Sequence, residues 1–227
     1  MLRSSSPCGQ VGAGGCILIP TSLMNRKNHW ERVYATKGER DVSWFEALPS
    51  ISIEMLEAAG ITPDTCVLDV GGGDSRLIDH LAARGFGCLA VLDVSAAALR
   101  RAQARLGAAS SIPVWIEADV TADWTLKPMD VWHDRAVFHF LTEAEDRSRY
   151  LGHLRDVLRM HGTAIIATFA LDGPDRCSGL PVARYSPVSL AAALGHGFSL
   201  IDARPYKHTT PWGSIQAFQY SRFLRVA

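Results

Sequence analysis

Four acids stand at intervals through the middle of the chain, Asp69, Asp93, Asp119 and Asp134, and each lies at the end of a short apolar run. The runs are Val67-Leu68-Asp69-Val70, Cys88 to Val94, Val114 to Val120, and Met129 to Arg135. Behind the first comes a glycine turn, Gly71-Gly72-Gly73-Asp74-Ser75. A carboxylate at a strand tip can accept hydrogen bonds from a ligand's hydroxyls or amine, and glycines beside it let the backbone approach that ligand. Asp93 lies 24 residues beyond Asp69, where an acid can take both ribose hydroxyls of an adenosine. Asp69 and Asp74 crowd the turn with negative charge, which repels a pyrophosphate and suits a ligand with a cationic amino-acid end. A dinucleotide fingerprint, G-x-G-x-x-G, fits at Gly71 and Gly73 and fails at Arg76. Taken singly, each acid reads as a solvated strand end or a cap. Four in order, behind one glycine turn, read as a ligand site.

The elements that must hold these acids are strands alternating with helices. After the glycine turn an amphipathic segment runs from Arg76 to Arg84 and stops at Gly85. Ser95 is an N-cap for the alanine-rich helix Ala96 to Leu106, which Gly107 ends. A fifth run, Thr163 to Phe169, follows the break at His161-Gly162. Such alternation implies an α/β fold, doubly wound around a mostly parallel sheet. Ser199 to Ala203 reads as a sixth strand, and Gln216 to Phe223 alternates apolar and polar residues as a final antiparallel strand would. Between them, His208 to Gly213 reads as a hairpin-like turn. Upstream, Glu46 to Ala59 contains a helix with Gly60 as its stop. Past the fifth strand, Asp172 to Leu180 is a polar loop that ends near Arg184-Tyr185, before Ser186-Pro187 opens a capped helix.

Composition agrees with one core. The chain has 227 residues, 48% of them hydrophobic, and no shift in texture marks a second domain. Lysine plus arginine equals aspartate plus glutamate at 23 each, so there is no basic excess to bind nucleic acid. No apolar run approaches the roughly 20 residues that span a bilayer, and a cytoplasmic protein is expected. The five cysteines show neither metal spacing nor a paired framework, so no metal site is expected. Cys66 and Cys88 begin expected strands and read as buried thiols, which fits a reducing cytosol. Residues 1–23 read as a disordered extension with a poor secretory signal, and Met24 offers an internal start. The remainder, 24–227, reads as a single domain.

The first motif, Asp69-Val70-Gly71-Gly72-Gly73, resembles that of the class I S-adenosylmethionine (SAM) methyltransferases, which reads D/E-x-G-x-G. With the acids that follow, the resemblance covers about residues 64–170, and it points to the small single-domain type. It implies a seven-stranded Rossmann-like sheet and SAM as cofactor, held by Asp69, Gly71, Gly73, Asp93 and Asp119. In the family, the acid at Asp119 lies beside the adenine, and the fourth motif, around His133-Asp134, lies next to the transferred methyl. On that ground Asp134 and His133 are the expected catalytic pair, with His139 and His208 as other bases and His139 mainly structural.

The segment Trp30-Glu31-Arg32-Val33-Tyr34, followed by Ser43-Trp44-Phe45, resembles the opening of small class I enzymes. Among them are lysine methyltransferases of elongation factor or mitochondrial proteins, and relatives acting on small thiols. It is expected to form an N-terminal helical lid over about 28–60, with Trp30 and Tyr34 against the cofactor; the plainer reading is a helix packing an aromatic stripe on the sheet. The loop after strand five should close over the methyl acceptor, with Cys177, Tyr185, His208 and Trp44 as its contacts. One thiol there falls short of the three that trivalent arsenic would need. The acceptor is expected to be a small molecule, with a protein side chain, lysine above all, as the alternative. A lysine acceptor would call for an acidic or aromatic rim around Asp134, Tyr185 and Trp212. A nicotinamide oxidoreductase and a non-catalytic SAM-binding module are the readings from other classes.

Overall fold

The computed structural model describes residues 21–227. The extension expected over residues 1–23 falls outside that range except for its last three residues, which open the first helix. Six helices and nine strands follow, in the order α1 (Thr21–Thr36), α2 (Ser50–Ala58), β1 (Val67–Val70), α3 (Leu77–Ala83), β2 (Leu89–Asp93), α4 (Ala96–Leu106), β3 (Val114–Glu117), β4 (Met129–Arg135), α5 (Ala144–Val157), β5 (Leu158–Phe169), β6 (Arg176–Cys177), β7 (Leu180–Pro181), α6 (Pro187–Leu194), β8 (Phe198–Thr209) and β9 (Ile215–Arg225).

Seven strands form one sheet in the order β3-β2-β1-β4-β5-β9-β8. The first five run parallel, and β9 is antiparallel to both β5 and β8. The chain winds outward from β1 to β3, then restarts on the other side at β4. The carboxyl ends of β1 and β4 therefore flank the point where strand order reverses, which is where open α/β sheets bind ligands. One face of the sheet is packed by Leu56 of α2, Leu77 and Leu81 of α3 and Leu99 of α4. The other is packed by Tyr150 and Leu154 of α5 and by Leu190 and Leu194 of α6.

Local signals account for the boundaries. Ser95 caps α4, its hydroxyl accepting from Ala98 N at 3.2 Å, and Ser186 caps α6 with proline in the first turn. Gly60 and Gly85 take positive φ values of 75° and 83° just past α2 and α3. The polar loop after β5 holds a two-stranded hairpin, β6 with β7. β8 runs farther than Ser199 to Ala203, so His208 is a strand residue and the turn begins at Thr210.

The two strand-opening cysteines correct the sequence reading. Cys66 and Cys88 are not thiols but a disulfide, with their Cα atoms 4.5 Å apart. Val67 pairs with Leu89, so the residues before them sit opposite one another on neighbouring strands. The free-thiol argument for a reducing compartment falls with that pair. Among the described residues, no helix is long and apolar enough to cross a membrane.

Candidate active site

A pocket opens at the switch point, lined by the tips of β1, β2 and β4, the turn after β1, and residues of α1. The turn itself explains its glycines. Gly71 has φ 67°, and a Cβ there would lie 2.1 Å from Val137 Cγ2. A Cβ on Gly72 would lie 2.5 Å from Asp69 Oδ2. On Gly73 it would meet Asp93 Oδ2 at 2.4 Å and the Ala98 Cβ at 2.9 Å. Gly71 and Gly72 line the pocket; Gly73, expected to do so, is not among the lining residues. Its missing side chain instead leaves room for the Asp93 carboxylate.

Asp69 and His133 occupy paired positions on β1 and β4 and share a face of the sheet. His133 Nδ1 donates to Asp69 Oδ1 at 2.7 Å, and its Nε2 lies 3.0 Å from Ser52 Oγ. Asp69 is 2% exposed, and its second oxygen, Oδ2, has no partner among the described residues. A buried carboxylate oxygen left open under a glycine turn fits a cationic ligand group. Asp74 does not supply this charge. Its carboxylate is taken by Arg105 at 2.5 Å and Arg101 at 3.4 Å, both from α4, so the expectation that Asp74 draws in a cation is corrected.

Asp93 is 5% exposed at the tip of β2 and accepts from Ser95 N at 2.8 Å. Burial pushes its carboxyl up to about 7, against the pull of the Ser95 and Gly73 amides and with the help of the Asp69 charge. Asp119 lies just beyond β3; Thr121 donates to its Oδ1 from N and Oγ1 at 2.9 and 2.7 Å. Its Oδ2 lies 3.4 Å from Arg26 Nε of α1, and Arg26 also donates to Asp146 at 2.8 Å. α1 is tied to α4 as well: Glu31 accepts from Ser95 Oγ at 2.7 Å and from Ala97 N at 3.2 Å. Trp30 and Tyr34 line the pocket from this helix, and the Trp30 ring centroid lies 5.2 Å from Phe140 and 5.6 Å from Trp44.

The sequence placed Asp134 next to the reaction, and the strand's own alternation corrects it. His133 and Arg135 point to the pocket side of β4, while Trp132 and Asp134 point to the opposite face. Asp134 is fully buried there, accepting from Val137 N at 2.9 Å, Phe138 N at 3.1 Å and Tyr150 Oη at 2.6 Å. Tyr185 is also off the pocket, packed on Phe138 at 5.4 Å. His208 is buried behind the wall, with Nδ1 3.1 Å from Glu46 Oε1 and Nε2 2.6 Å from the Ser43 carbonyl oxygen. The rim that a lysine acceptor called for around Asp134, Tyr185 and Trp212 does not form, since the first two face away. His139 is fully buried, its Nδ1 accepting weakly from Phe169 N at 3.4 Å, and burial drives its ring down to about 3.

Trp44 and Cys177 do line the pocket. Cys177 is a buried free thiol that burial raises to about 11, so it is a neutral wall group rather than a nucleophile. The hairpin that carries it meets α1, where His29 Nε2 lies 3.3 Å from Ser178 Oγ. Sequence reading missed the two charged residues at this end, Glu46 and Arg135. Arg135 donates to Tyr220 Oη at 3.0 Å and to the Trp44 carbonyl at 2.9 Å, and lies 5.4 Å from the Phe218 ring centroid. Glu46 Oε1 lies 3.3 Å from Arg135 Nη2. Burial opposes the Glu46 charge, yet the His208 hydrogen bond and the Arg135 guanidinium together hold its carboxyl below the usual range. The signal for Arg135 was its place two residues after His133 on one strand.

A family model described as "Methyltransferase domain" matches residues 67–162. EEF1A lysine methyltransferase 2 of Danio rerio is 28% identical over 163 residues, 65% of this chain and 70% of that protein. An uncharacterized methyltransferase of Mycobacterium tuberculosis (strain ATCC 25618 / H37Rv) is 36% identical over 106 residues, 46% of this chain, and the match spans half of that protein's length. Among solved structures, the 1,6-didemethyltoxoflavin-N1-methyltransferase of Burkholderia thailandensis, with 1,6-didemethyltoxoflavin and S-adenosylhomocysteine bound, superposes with a TM-score of 0.68. It is 19% identical, over 95% of this chain and 94% of that one, so the likeness is one of fold. The strand order and the glycine–acid pocket are those of the class I methyltransferase fold, and the methyltransferase domain model covers residues 67–162, less than half of the chain. The matching domain model and the relatives named methyltransferases make methyl transfer its reaction class.

Proposed function

We propose that this enzyme methylates a small molecule without net positive charge, held between Trp44, Phe140, Glu46 and Arg135. The observation that carries this reading is the half-buried Glu46–Arg135 ion pair that lines the pocket. The guanidinium offsets the carboxylate, so the chamber has no net negative charge to draw in an ammonium. Bound SAM supplies an electrophilic methyl on a sulfonium.

The chain's residues hold and shield that group. The Asp93 carboxylate would accept from the ribose hydroxyls, Asp69 Oδ2 from the amino-acid ammonium, and Asp119 from the adenine amine. Gly71 and Gly72 let the backbone approach. Trp30 and Tyr34 line the pocket and would exclude water, and a ring face turned to the sulfonium would contribute about 0.5–2 kcal/mol. Alignment and desolvation then supply most of the acceleration, because an in-line displacement asks for no covalent help from the protein. His133 is a positioning residue whose ring fixes Asp69.

Calorimetry tests the cofactor half of the reading: the protein binds SAM, and Asp93→Ala weakens binding roughly tenfold or more, about 1.4 kcal/mol. No SAM binding at all sinks it. A tritiated-methyl assay on fractionated cell extract tests the acceptor half, with label expected in small molecules. A second reading, a protein lysine acceptor, is supported by the similarity to the Danio rerio enzyme, which is named a lysine methyltransferase. Label confined to protein would favour it.

A further inference from the structure

The acceptor end carries an unfinished hydrogen-bonding edge. Glu46 Oε2 and Arg135 Nη2 are buried and have no hydrogen-bond partner among the described residues, although both side chains line the pocket. Nη2 comes within 3.3 Å of the other Glu46 oxygen, and Tyr206 stands beside that carboxylate, but no hydrogen bond of acceptable geometry reaches Oε2. Every other polar group of the pair is engaged. Arg135 Nε and Nη1 are taken by Tyr220 and Trp44, and Glu46 Oε1 by His208. Leaving a buried donor and a buried acceptor open costs about 1–3 kcal/mol each, more for charged groups. Two such atoms on one salt-bridged pair are therefore a feature that a ligand can complete.

The walls narrow the ligand further. Trp44, Phe45, Phe140, Phe169 and Phe218 line the same pocket, with Phe218 5.4 Å from Arg135 and the Phe169 and Phe218 centroids 4.7 Å apart. Aromatic walls favour a flat ring that can stack or meet them edge-on. A donor beside an acceptor on the protein calls for an acceptor beside a donor on the ligand.

We propose that the methyl acceptor is a flat heteroaromatic molecule with a lactam-type edge, its ring N–H donating to Glu46 Oε2 and its carbonyl accepting from Arg135 Nη2. The proposal rests on the methyltransferase reading above and specifies its acceptor. Glu46 and Arg135 are then specificity residues, and the methyl goes to another nitrogen or oxygen of the ring system, S-adenosylhomocysteine leaving and the acceptor's proton passing to solvent.

The test uses the full-length protein saturated with S-adenosylhomocysteine. 2-Quinolone, hypoxanthine and lumazine are titrated by calorimetry or ligand-observed NMR, each beside the form methylated at the lactam nitrogen. A site built to pair with an N–H rejects the analogue lacking it. At least one N–H form is expected to bind roughly tenfold tighter than its partner. In Glu46→Gln, S-adenosylhomocysteine affinity is expected to hold and that preference to shrink, with a lower melting temperature because Arg135 loses its counter-charge. Equal binding of the paired forms, or binding of none of the three, overturns the lactam edge while leaving the cofactor site standing. Methylation of a lysine peptide in preference to the rings overturns it too. Loss of S-adenosylhomocysteine binding by the unaltered protein overturns the methyltransferase reading, and this proposal with it. If Glu46→Gln does not fold, the wild-type comparison of paired ligands still decides.

Discussion

Asp93 sits where two demands conflict. To accept both ribose hydroxyls it must be ionised, yet it is buried, and burial with Asp69 nearby pushes it up to about 7. The sign follows directly. Above that value the carboxylate is ionised and offers acceptors to both hydroxyls; as pH falls through about 7 it takes a proton and loses that capacity. SAM should therefore bind about tenfold more weakly at pH 6 than at pH 8, since each unit below the pKa removes a factor of ten of the competent form. Asp93→Asn should bind weakly throughout and lose the slope. Calorimetric titrations at several pH values check this, and a flat profile for the wild type would count against Asp93 as the ribose acceptor. At the same scale, Asp69 keeps its capacity differently, with one oxygen held by His133 and the other left open. The two acids look alike in sequence and are prepared by different neighbours.

The glycine turn works as an element because three missing side chains leave space for three different neighbours: Val137, Asp69 and Asp93. Gly73 gives the sharpest test, since its φ is not positive and only crowding opposes a methyl there. Gly73→Ala should displace the Asp93 carboxylate, weakening SAM binding roughly tenfold with an overpacking cost of about 1–3 kcal/mol. Gly152→Ala is the control: nothing lies within 4 Å of its added Cβ within α5, and it should stabilise by about 0.5–1 kcal/mol without changing SAM affinity. Thermal melts with calorimetry separate the two, and equal effects would show that the turn's crowding is irrelevant to the cofactor. Elements were the legible level of this sequence. Runs of apolar residues, Ser95 and Gly107 around α4, and the alternation in β9 marked strands and helices close to where they lie. What escaped was which face a residue takes and which distant element reaches it. Asp134 and Arg135 are neighbours on β4, and only period-two alternation sends one into the core and the other to the pocket. Asp74 looked free because its partners, Arg101 and Arg105, come from α4, roughly 30 residues on. Glu46 lies on a loop with no periodicity, so nothing local announced that Arg135 and His208 would surround it.

Across the whole molecule the sheet separates what binds from what braces. The acids lie at the carboxyl ends of β1 and β2, while the Cys66–Cys88 disulfide joins the same two strands just before their amino ends. At about 3.3 Å per residue, the bridge stands roughly 10 Å from Asp69 and roughly 16 Å from Asp93, with strand between them. Its separation of 22 residues closes one strand–helix unit, a loop whose constraint on the unfolded chain is worth about 3 kcal/mol. A chain of this size loses roughly 2–4 °C of melting temperature per kcal/mol. Reduction, or the paired substitution Cys66→Ala with Cys88→Val, should thus lower the melting temperature by roughly 6–12 °C. SAM affinity measured well below the melt should stay within about twofold, because strand pairing still fixes Asp69 against Asp93. A non-reduced digest should yield the Cys66 and Cys88 peptides as one linked species. Separate peptides in that digest would refute the bridge. A melting loss accompanied by an equal loss of SAM binding would show that the amino ends of the strands are coupled to their tips, against the division of labour that the sheet implies.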